Sequence, residues 1–333
     1  MKGILFSFII PVYNRPEEID ELLNSFAQLD GDCNHEIVIV EDGSDMDCKH
    51  IVDRYKGQLN IAYYFKENSG PGDSRNFGMR KAKGDYFIIL DSDVILPSSY
   101  LLEVNAFLTK SYYHCFGGPD AAHDSFSNLQ KAINFAMTSF ITTGGIRGGK
   151  QRLEGFQPRS FNMGLSREAF RDSGGFGSIH PGEDPDLSLR LNKLGYKTTL
   201  IERAYVYHKR RISWSKFYKQ VHKFGLVRPI LNQWHPNSKS LVYWFPTLFL
   251  LGFCVSLVLF IFRMRLPLYL YLFYFVLAFT LALISTKNIG VALQSVLAVI
   301  IQFFGYGYGF LKSTFNLLVL RKKPREAFPK LFF

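Results

Sequence analysis

Acidic residues almost vanish from the second part of this 333-residue chain: beyond Arg203 the only one is Glu326. Cysteine is scarce as well. Cys33, Cys48, Cys115 and Cys254 show no paired spacing, and Cys254 lies inside an apolar run. That argues against a disulfide framework or a zinc site, and for a reducing compartment around the polar part of the chain. The net charge of +11 comes without a zinc, helix-turn-helix or RNA-binding signature, so nucleic acid is not expected as a partner. Nor is a cleavable leader expected: the apolar run Ile4 to Ile10 is short, and Pro11-Val12-Tyr13-Asn14-Arg15-Pro16 follows it in place of small residues.

What the chain does have is a change of character along its length. Up to about Glu202 it reads as a soluble α/β protein. After that, basic residues and long apolar runs take over, and most of the positive charge lies there. Four short runs, Phe6–Ile10, Glu36–Val40, Ile61–Phe65 and Tyr86–Leu90, are rich in β-branched or aromatic residues and end in polar turns, as buried parallel strands do. Helical spacing fits Glu17–Leu29, with Ile19, Leu22, Leu23 and Phe26 on one face, and also Asp47–Tyr55 and Gly72–Lys83. Strand and helix alternating in this way predict a doubly wound α/β sheet, with ligands bound beyond the carboxyl ends of its strands. From Leu101 to Glu202 the pattern is less regular. It holds the glycine pairs Gly144-Gly145 and Gly148-Gly149, a further strand at Phe161–Leu165, an acidic turn at Gly182–Asp186 and a helix ending at Gly195.

Three apolar stretches, about Val242–Phe262, Leu266–Ser285 and Ile289–Leu311, each have roughly the 20 residues needed to span a hydrocarbon core. They predict an all-α membrane region of two to four segments. Three spans after a cytoplasmic N-terminal domain would place Arg321-Lys322-Lys323 outside, against the positive-inside tendency. Ile289–Leu311, with Gly305, Gly309 and Lys312 near its end, is therefore the weakest span and suits a re-entrant or interfacial segment. Ahead of these stretches, Lys209–Lys239 carries eight basic residues and no acidic one, which suits docking on an anionic leaflet.

Three polar clusters sit where strands are expected to end. Asp91-Ser92-Asp93 directly follows Tyr86–Leu90, and two carboxylates one residue apart suit a hard divalent ion such as Mg²⁺ or Mn²⁺ completed by phosphate oxygens. The same pattern also occurs as a solvated turn that caps a helix. After the second strand comes Glu41-Asp42-Gly43-Ser44, where a carboxylate can accept a bond from a ribose hydroxyl or a nucleobase N–H, or can belong to an Asp-Gly turn with Asp47 capping a helix. Asn68–Gly78 is a glycine-rich turn opening a helix; its N–H groups favour anions and Arg75 can reach a phosphate or a base, although an ordinary helix start reads the same way.

Taken in order, Pro11-Val12-Tyr13-Asn14, Glu41-Asp42-Gly43-Ser44, Gly70…Arg75-Asn76 and Asp91-Ser92-Asp93 resemble the motifs of the inverting family-2 glycosyltransferases of the GT-A fold, over roughly residues 4–225. The resemblance implies that Pro11, Val12, Glu41 and Asp42 line a nucleoside pocket and that Arg75 helps hold the nucleotide. It implies that Asp91 and Ser92 face the donor, and that Asp93 is the direct metal ligand with Asp91 beside it. Glu41 stands where the family more often has Asp. Gly182-Glu183-Asp184 is similar to the family's acidic acceptor-side motif: Asp184 falls where its general base lies, with Glu183 next to it and Asn162 near the acceptor. A sugar hydroxyl is a poor nucleophile, and a carboxylate that takes its proton assists attack on the anomeric carbon; one base and one face of attack imply inversion. As bare sequence, Glu183-Asp184-Pro185-Asp186 is also a favourable acidic helix start. His208 stands where histidines of the family ligate the metal or touch the diphosphate. Gln220 and Lys223 resemble the Gln-x-x-Arg-Trp motif of processive members, with Lys for Arg and Phe224 for Trp. Lys holds a phosphate as a point charge without the bidentate fork of Arg, so polymerisation is not expected.

The expected organisation is α/β, a GT-A doubly wound nucleotide-sugar-binding domain followed by an all-α membrane region. Residues 1–225 form the catalytic domain, 226–241 a basic interfacial linker, 242–320 the membrane helices and 321–333 a basic tail. The segment around Gln220 to Pro236 resembles exopolysaccharide-assembling transferases with C-terminal membrane segments. Expected partners are a UDP- or GDP-sugar, Mg²⁺ or Mn²⁺, a lipid-linked or glycan acceptor and the cell (inner) membrane, crossed more than once with the catalytic domain cytoplasmic. Two other readings are a polyprenyl-phosphate sugar synthase, whose anionic acceptor needs no general base, and a non-catalytic membrane sensor or scaffold, which has no need of Asp91, Asp93 and Asp184.

Overall fold

Every side chain of Tyr86-Phe87-Ile88-Ile89-Leu90 is inaccessible to solvent, which explains why this run has no polar alternation: a strand covered on both faces needs none. In the computed structural model, which describes residues 3–121, 126–143, 156–208 and 213–333, it is the fourth of ten strands. These are β1 Phe6–Val12, β2 His35–Asp42, β3 Ile61–Lys66, β4 Tyr86–Leu90, β5 Val94–Ile95, β6 Cys115–Gly117, β7 Asp120–Ala121, β8 Asn162–Ser166, β9 Thr198–Leu200 and β10 Val206–His208. The glycine pairs Gly144-Gly145 and Gly148-Gly149, and the basic residues Lys209, Arg210 and Arg211, lie outside the described residues.

The chain divides into two units. The first contains Met1–His123, Arg152–His208 and Phe332–Phe333; the second contains Asp124–Gln151 and Lys209–Leu331. In the first, seven strands form one sheet in the order β3-β2-β1-β4-β8-β6-β9, and β5, β10 and β7 form a second, small sheet. The four strands expected from sequence are parallel neighbours. The sheet then departs from a uniformly parallel one, because β8 enters antiparallel to both β4 and β6. The helix Tyr100–Lys110 returns the chain to the starting end of the sheet for β6, so β4 and β6 run in the same direction on either side of β8.

Successive side chains of a strand point to opposite faces, and that alternation sorts the core. Phe8, Ile10, Ile37, Ile39, Ile88 and Leu90 pack with Ile19, Leu22, Leu23 and Phe26 of the Pro16–Phe26 helix. Ile9, Val38, Val40, Phe87 and Ile89 pack on the other face with Met79, Leu187 and Leu191. Cutting a fully buried residue such as Ile89 back to Ala costs about 2–5 kcal/mol. The helix expected over Gly72–Lys83 is Pro71–Lys81, with proline at its first position, where no intrahelical N–H bond is lost.

The second unit is helical among its described residues, with helices Asn128–Thr138, Phe140–Thr143, Trp214–Trp234, Phe245–Ile261, Leu266–Thr286 and Ile289–Thr314. Three segments are long and apolar enough to cross a membrane: Leu241–Ile261, Leu266–Thr286 and Ile289–Val319. The first two leave their apolar side chains outward: Leu248, Leu257, Ile261, Leu266, Leu272 and Phe273 are all exposed. The third is the most covered, 39% against 17% and 11%, because it lies along Trp214–Trp234 at backbone contact. A Cβ on Gly225 would stand 2.2 Å from the Tyr306 carbonyl oxygen, and one on Gly309 2.4 Å from that of His222. Gly225 was expected to end the first domain. It is instead inside a continuous 21-residue helix, where its missing side chain admits the neighbour. The boundary between the two compact units falls at 208.

Candidate functional site

Polar residues leave the main sheet at the carboxyl ends of β1, β2 and β4, the edge where α/β sheets bind ligands. Asp91-Ser92-Asp93 follows Leu90 and leads into β5. That strand pairs antiparallel with β10 and sets His208 opposite Val94. His208 Nε2 consequently lies 3.2 Å from Asp93 Oδ1, and its ring stacks on Phe161 with centroids 4.8 Å apart. Asp91, Asp93 and His208 each offer a ligand atom, and these atoms lie within 4.8 Å of one another. Two carboxylates and an imidazole make a donor set that fits a divalent ion of the Mg²⁺ or Mn²⁺ kind, the imidazole favouring Mn²⁺. Ser92, between the two aspartates, is buried.

Arg75 ties this cluster to the acidic turn. One guanidinium nitrogen donates to Asp91 Oδ1 at 2.7 Å and the other to Glu183 Oε1 at 3.1 Å, while the guanidinium lies over the Phe176 ring at 5.3 Å. Burial works against the Arg75 charge, but the carboxylates of Asp91, Glu183 and Asp184 outweigh it and hold the guanidinium protonated. Glu183 also bonds His180 Nδ1 at 2.9 Å. Burial would raise the Glu183 carboxyl, yet the His180 bond and the His180 and Arg75 charges bring it down to about 2.

Its neighbour behaves in the opposite way. Burial, and then the Glu183 charge, push the Asp184 carboxyl up to about 6, against the weaker pull of Arg75, Arg159 and Ser160. Asp184 Oδ1 is shielded from solvent and has no hydrogen-bond partner among the described residues. Two adjacent carboxyl groups are thus shifted in opposite directions, Glu183 toward its anion and Asp184 toward its protonated form.

Other residues singled out from sequence have different surroundings. Glu41 is fully buried and accepts from Ser44 Oγ, from Cys48 N at 2.9 Å and Sγ at 3.0 Å, and from Tyr63 OH at 3.3 Å. Burial and this carboxylate push the Cys48 thiol and the Tyr63 phenol up. Asp42 accepts from Lys66 Nζ at 2.6 Å and from the N–H groups of Ser69 and Gly70, both at 3.0 Å. Both acids, expected to line a nucleoside pocket, are engaged here by side chains and backbone of the adjoining turns. Asn162, expected near an acceptor, is fully buried. Its oxygen accepts from Tyr100 OH at 2.6 Å, and its NH₂ donates to the Ala204 carbonyl at 2.8 Å. Pro11 and Val12 close β1, with Val12 in the core. Gln220 and Lys223 lie on the Trp214–Trp234 helix, in the second unit.

Two side chains at the site escaped the sequence reading. Arg15 places NH1 3.0 Å from Asp93 Oδ2 and 3.1 Å from Glu18 Oε1; its position just after Pro11–Asn14 was the available signal. His180 was detectable only as a histidine three residues before Glu183, a spacing common in any helix start.

A model of the family described as glycosyl transferase family 2 matches residues 7–174. The poly(ribitol-phosphate) beta-N-acetylglucosaminyltransferase TarS of Staphylococcus aureus is 34% identical over 110 residues, covering 32% of this chain and 19% of that protein. The validoxylamine A glucosyltransferase of Streptomyces hygroscopicus subsp. limoneus is 33% identical over 105 residues, 31% of this chain and 23% of that one. The chain thus matches less than a quarter of the length of these relatives. Among solved structures, the mannosyltransferase PcManGT from Pyrobaculum calidifontis, in complex with GDP-Man and Mn²⁺, superposes with a TM-score of 0.63 at 15% identity, over 92% of this chain and 87% of that one. That likeness establishes a shared fold.

Proposed function

The chain belongs to glycosyl transferase family 2, and from that premise we propose that it transfers a sugar from a nucleotide diphosphate to a hydroxyl of a membrane-associated, lipid-linked glycan. Transfer inverts the anomeric carbon and depends on Mn²⁺ or Mg²⁺ held by Asp91, Asp93 and His208.

The observation that carries the reading is the opposed pair Glu183 and Asp184, joined through Arg75 to the Asp91–Asp93–His208 cluster. Arg75 and His180 fix Glu183 as an anion, so it orients its surroundings and does not exchange protons. Asp184 has the unbonded oxygen and the raised carboxyl of a general base, and it takes the proton of the acceptor hydroxyl as that oxygen attacks the anomeric carbon. A bound divalent ion supplies neutralisation of the charge growing on the leaving diphosphate. Attack on one face, with departure from the other, gives inversion. A phosphate acceptor needs no such base, so Asp184 favours a hydroxyl acceptor over polyprenyl phosphate.

Three helices long and apolar enough to cross a bilayer support a multi-pass protein of the cell (inner) membrane. The basic stretch Lys209–Lys239 supports a cytoplasmic active site. The test is a panel of UDP- and GDP-sugars presented to the detergent-solubilised protein with Mn²⁺, with Mg²⁺ and with chelator, reading nucleoside diphosphate release and product configuration. Release with one donor class, abolished by chelation and giving an inverted product, is the expected result. Turnover that survives full chelation, or retention of configuration, would overturn it.

A further inference from the structure

Residues Gly177–Gly182 lead into the helix Glu183–Lys193 and carry His180. What fixes this turn is not obvious from its own sequence, which has glycine at both ends. Upstream, the Asn76 side chain clamps Phe176, accepting from its N–H at 2.8 Å and donating to its carbonyl at 2.9 Å. Downstream, the helix begins. Between them, the backbone is held by a segment from far along the chain: Phe333 N–H donates to the Ser178 carbonyl at 3.1 Å, and Phe332 forms an antiparallel bridge with Ile179.

The Phe333 ring has a prepared seat. Gly70 lies at φ +89°, where a side chain is strained, and a Cβ there would meet the ring at 2.5 Å. The same ring stands 6.0 Å from His180, which bonds Glu183. A line of contacts therefore runs from Phe333 through His180, Glu183 and Arg75 to Asp91. Phe333 as a whole stays 56% exposed, so it adds little to the core. Beside it lies a cavity of about 260 Å³ bordered by Ser69, Asp73, Asn76 and His180, space into which an untied turn can relax.

We propose that Phe332–Phe333 is a positioning strap: it holds the Gly177–Gly182 turn against the glycine-rich turn at Gly70 and so sets the placement of His180, Glu183 and Asp184. This rests on the glycosyl-transfer reading above. Phe333 does not touch the reacting atoms; it acts through the turn.

The test compares the full chain with Phe333→Ala and Phe333→Tyr in detergent, by hydrogen–deuterium exchange and by steady-state kinetics. In the Ala variant, amides of 177–184 exchange faster while those of β1 and β4 keep wild-type protection. Its kcat falls about tenfold, as a small misplacement of catalytic groups produces, with donor KM kept. Phe333→Tyr restores both. Should Phe333→Ala unfold, Phe333→Leu is read in the same way. Unchanged exchange at 177–184, or unchanged kcat, overturns the strap, as does a loss expressed only in donor KM. Exchange reads the strap without turnover, so a wild-type protein that exchanges as expected but transfers no sugar sinks the enzymatic reading and leaves the strap standing.

Discussion

Two Glu-Asp pairs, Glu41-Asp42 and Glu183-Asp184, sit in the same unit, and both were attractive as ligand-binding acids. At the end of β2, both carboxylates are taken up by hydroxyl, thiol, ammonium and backbone donors, which tie three loops together. At the helix start, Glu183 is similarly engaged by Arg75 and His180, but Asp184 keeps one shielded oxygen without a partner among the described residues. The first pair makes the frame and the second keeps one group in reserve. A buried carboxylate is informative for chemistry when its surroundings leave it unsatisfied, since a native fold otherwise pairs such groups.

The comparison breaks most visibly if Asp184 proves dispensable. Asp184→Asn should lower transfer by about 10²–10⁴-fold, the usual contribution of a general base, while donor affinity measured by calorimetry stays. Wild-type rates in that variant would remove Asp184 from the chemistry. Next in size is Arg75→Ala. Arg75 and Glu183 are both 5% exposed, and stripping one partner from such a pair costs about 3–5 kcal/mol of stability, read by chemical denaturation. A smaller change would mean that water or a rearranged His180 takes over.

Glu41→Gln should cost about 1–3 kcal/mol, because several donors lose a charged acceptor, with donor KM untouched. Loss of donor binding at full stability would return Glu41 to the nucleoside pocket that the family resemblance implies. The smallest effect is the pH response. Activity needs ionised Asp184, so the acidic limb should fall near pH 6 and cost about tenfold for each further unit down. Stability runs the other way. A folded value above the unfolded one contributes stability below the unfolded value and loses it as pH rises through about 6. Asp184→Asn should therefore be no less stable than wild type at pH 8, and a lower melting point there would contradict this assignment.

Much of the frame was legible in the sequence because its cause is local. Tyr86–Leu90 has the bounds its residues predict: a five-residue aromatic and β-branched run that stops at Asp-Ser-Asp is too short for a buried helix and too apolar for a loop. The helix with Ile19, Leu22, Leu23 and Phe26 on its buried face followed from spacing alone. Long-range pairing was not legible. Nothing near Asn162 announces that Tyr100 and Ala204 will take up its amide, and nothing near Glu41 announces Tyr63. The same holds for Phe332–Phe333, which composition alone assigns to a basic tail.

The pairing of β5 with β10 extends over two residue pairs, Tyr207 with Ile95 and His208 with Val94. Alternation along a strand makes that register a kind of punctuation: moving it by one place turns His208 to the opposite face and presents a different side chain to Asp93. A single inserted residue inside β10 would thus act like a frameshift confined to one side chain, sparing the fold while removing the imidazole from the proposed metal site. Length change should be tolerated very unevenly here, freely in the exposed turn at 56–58 and hardly at all between Ala204 and His208.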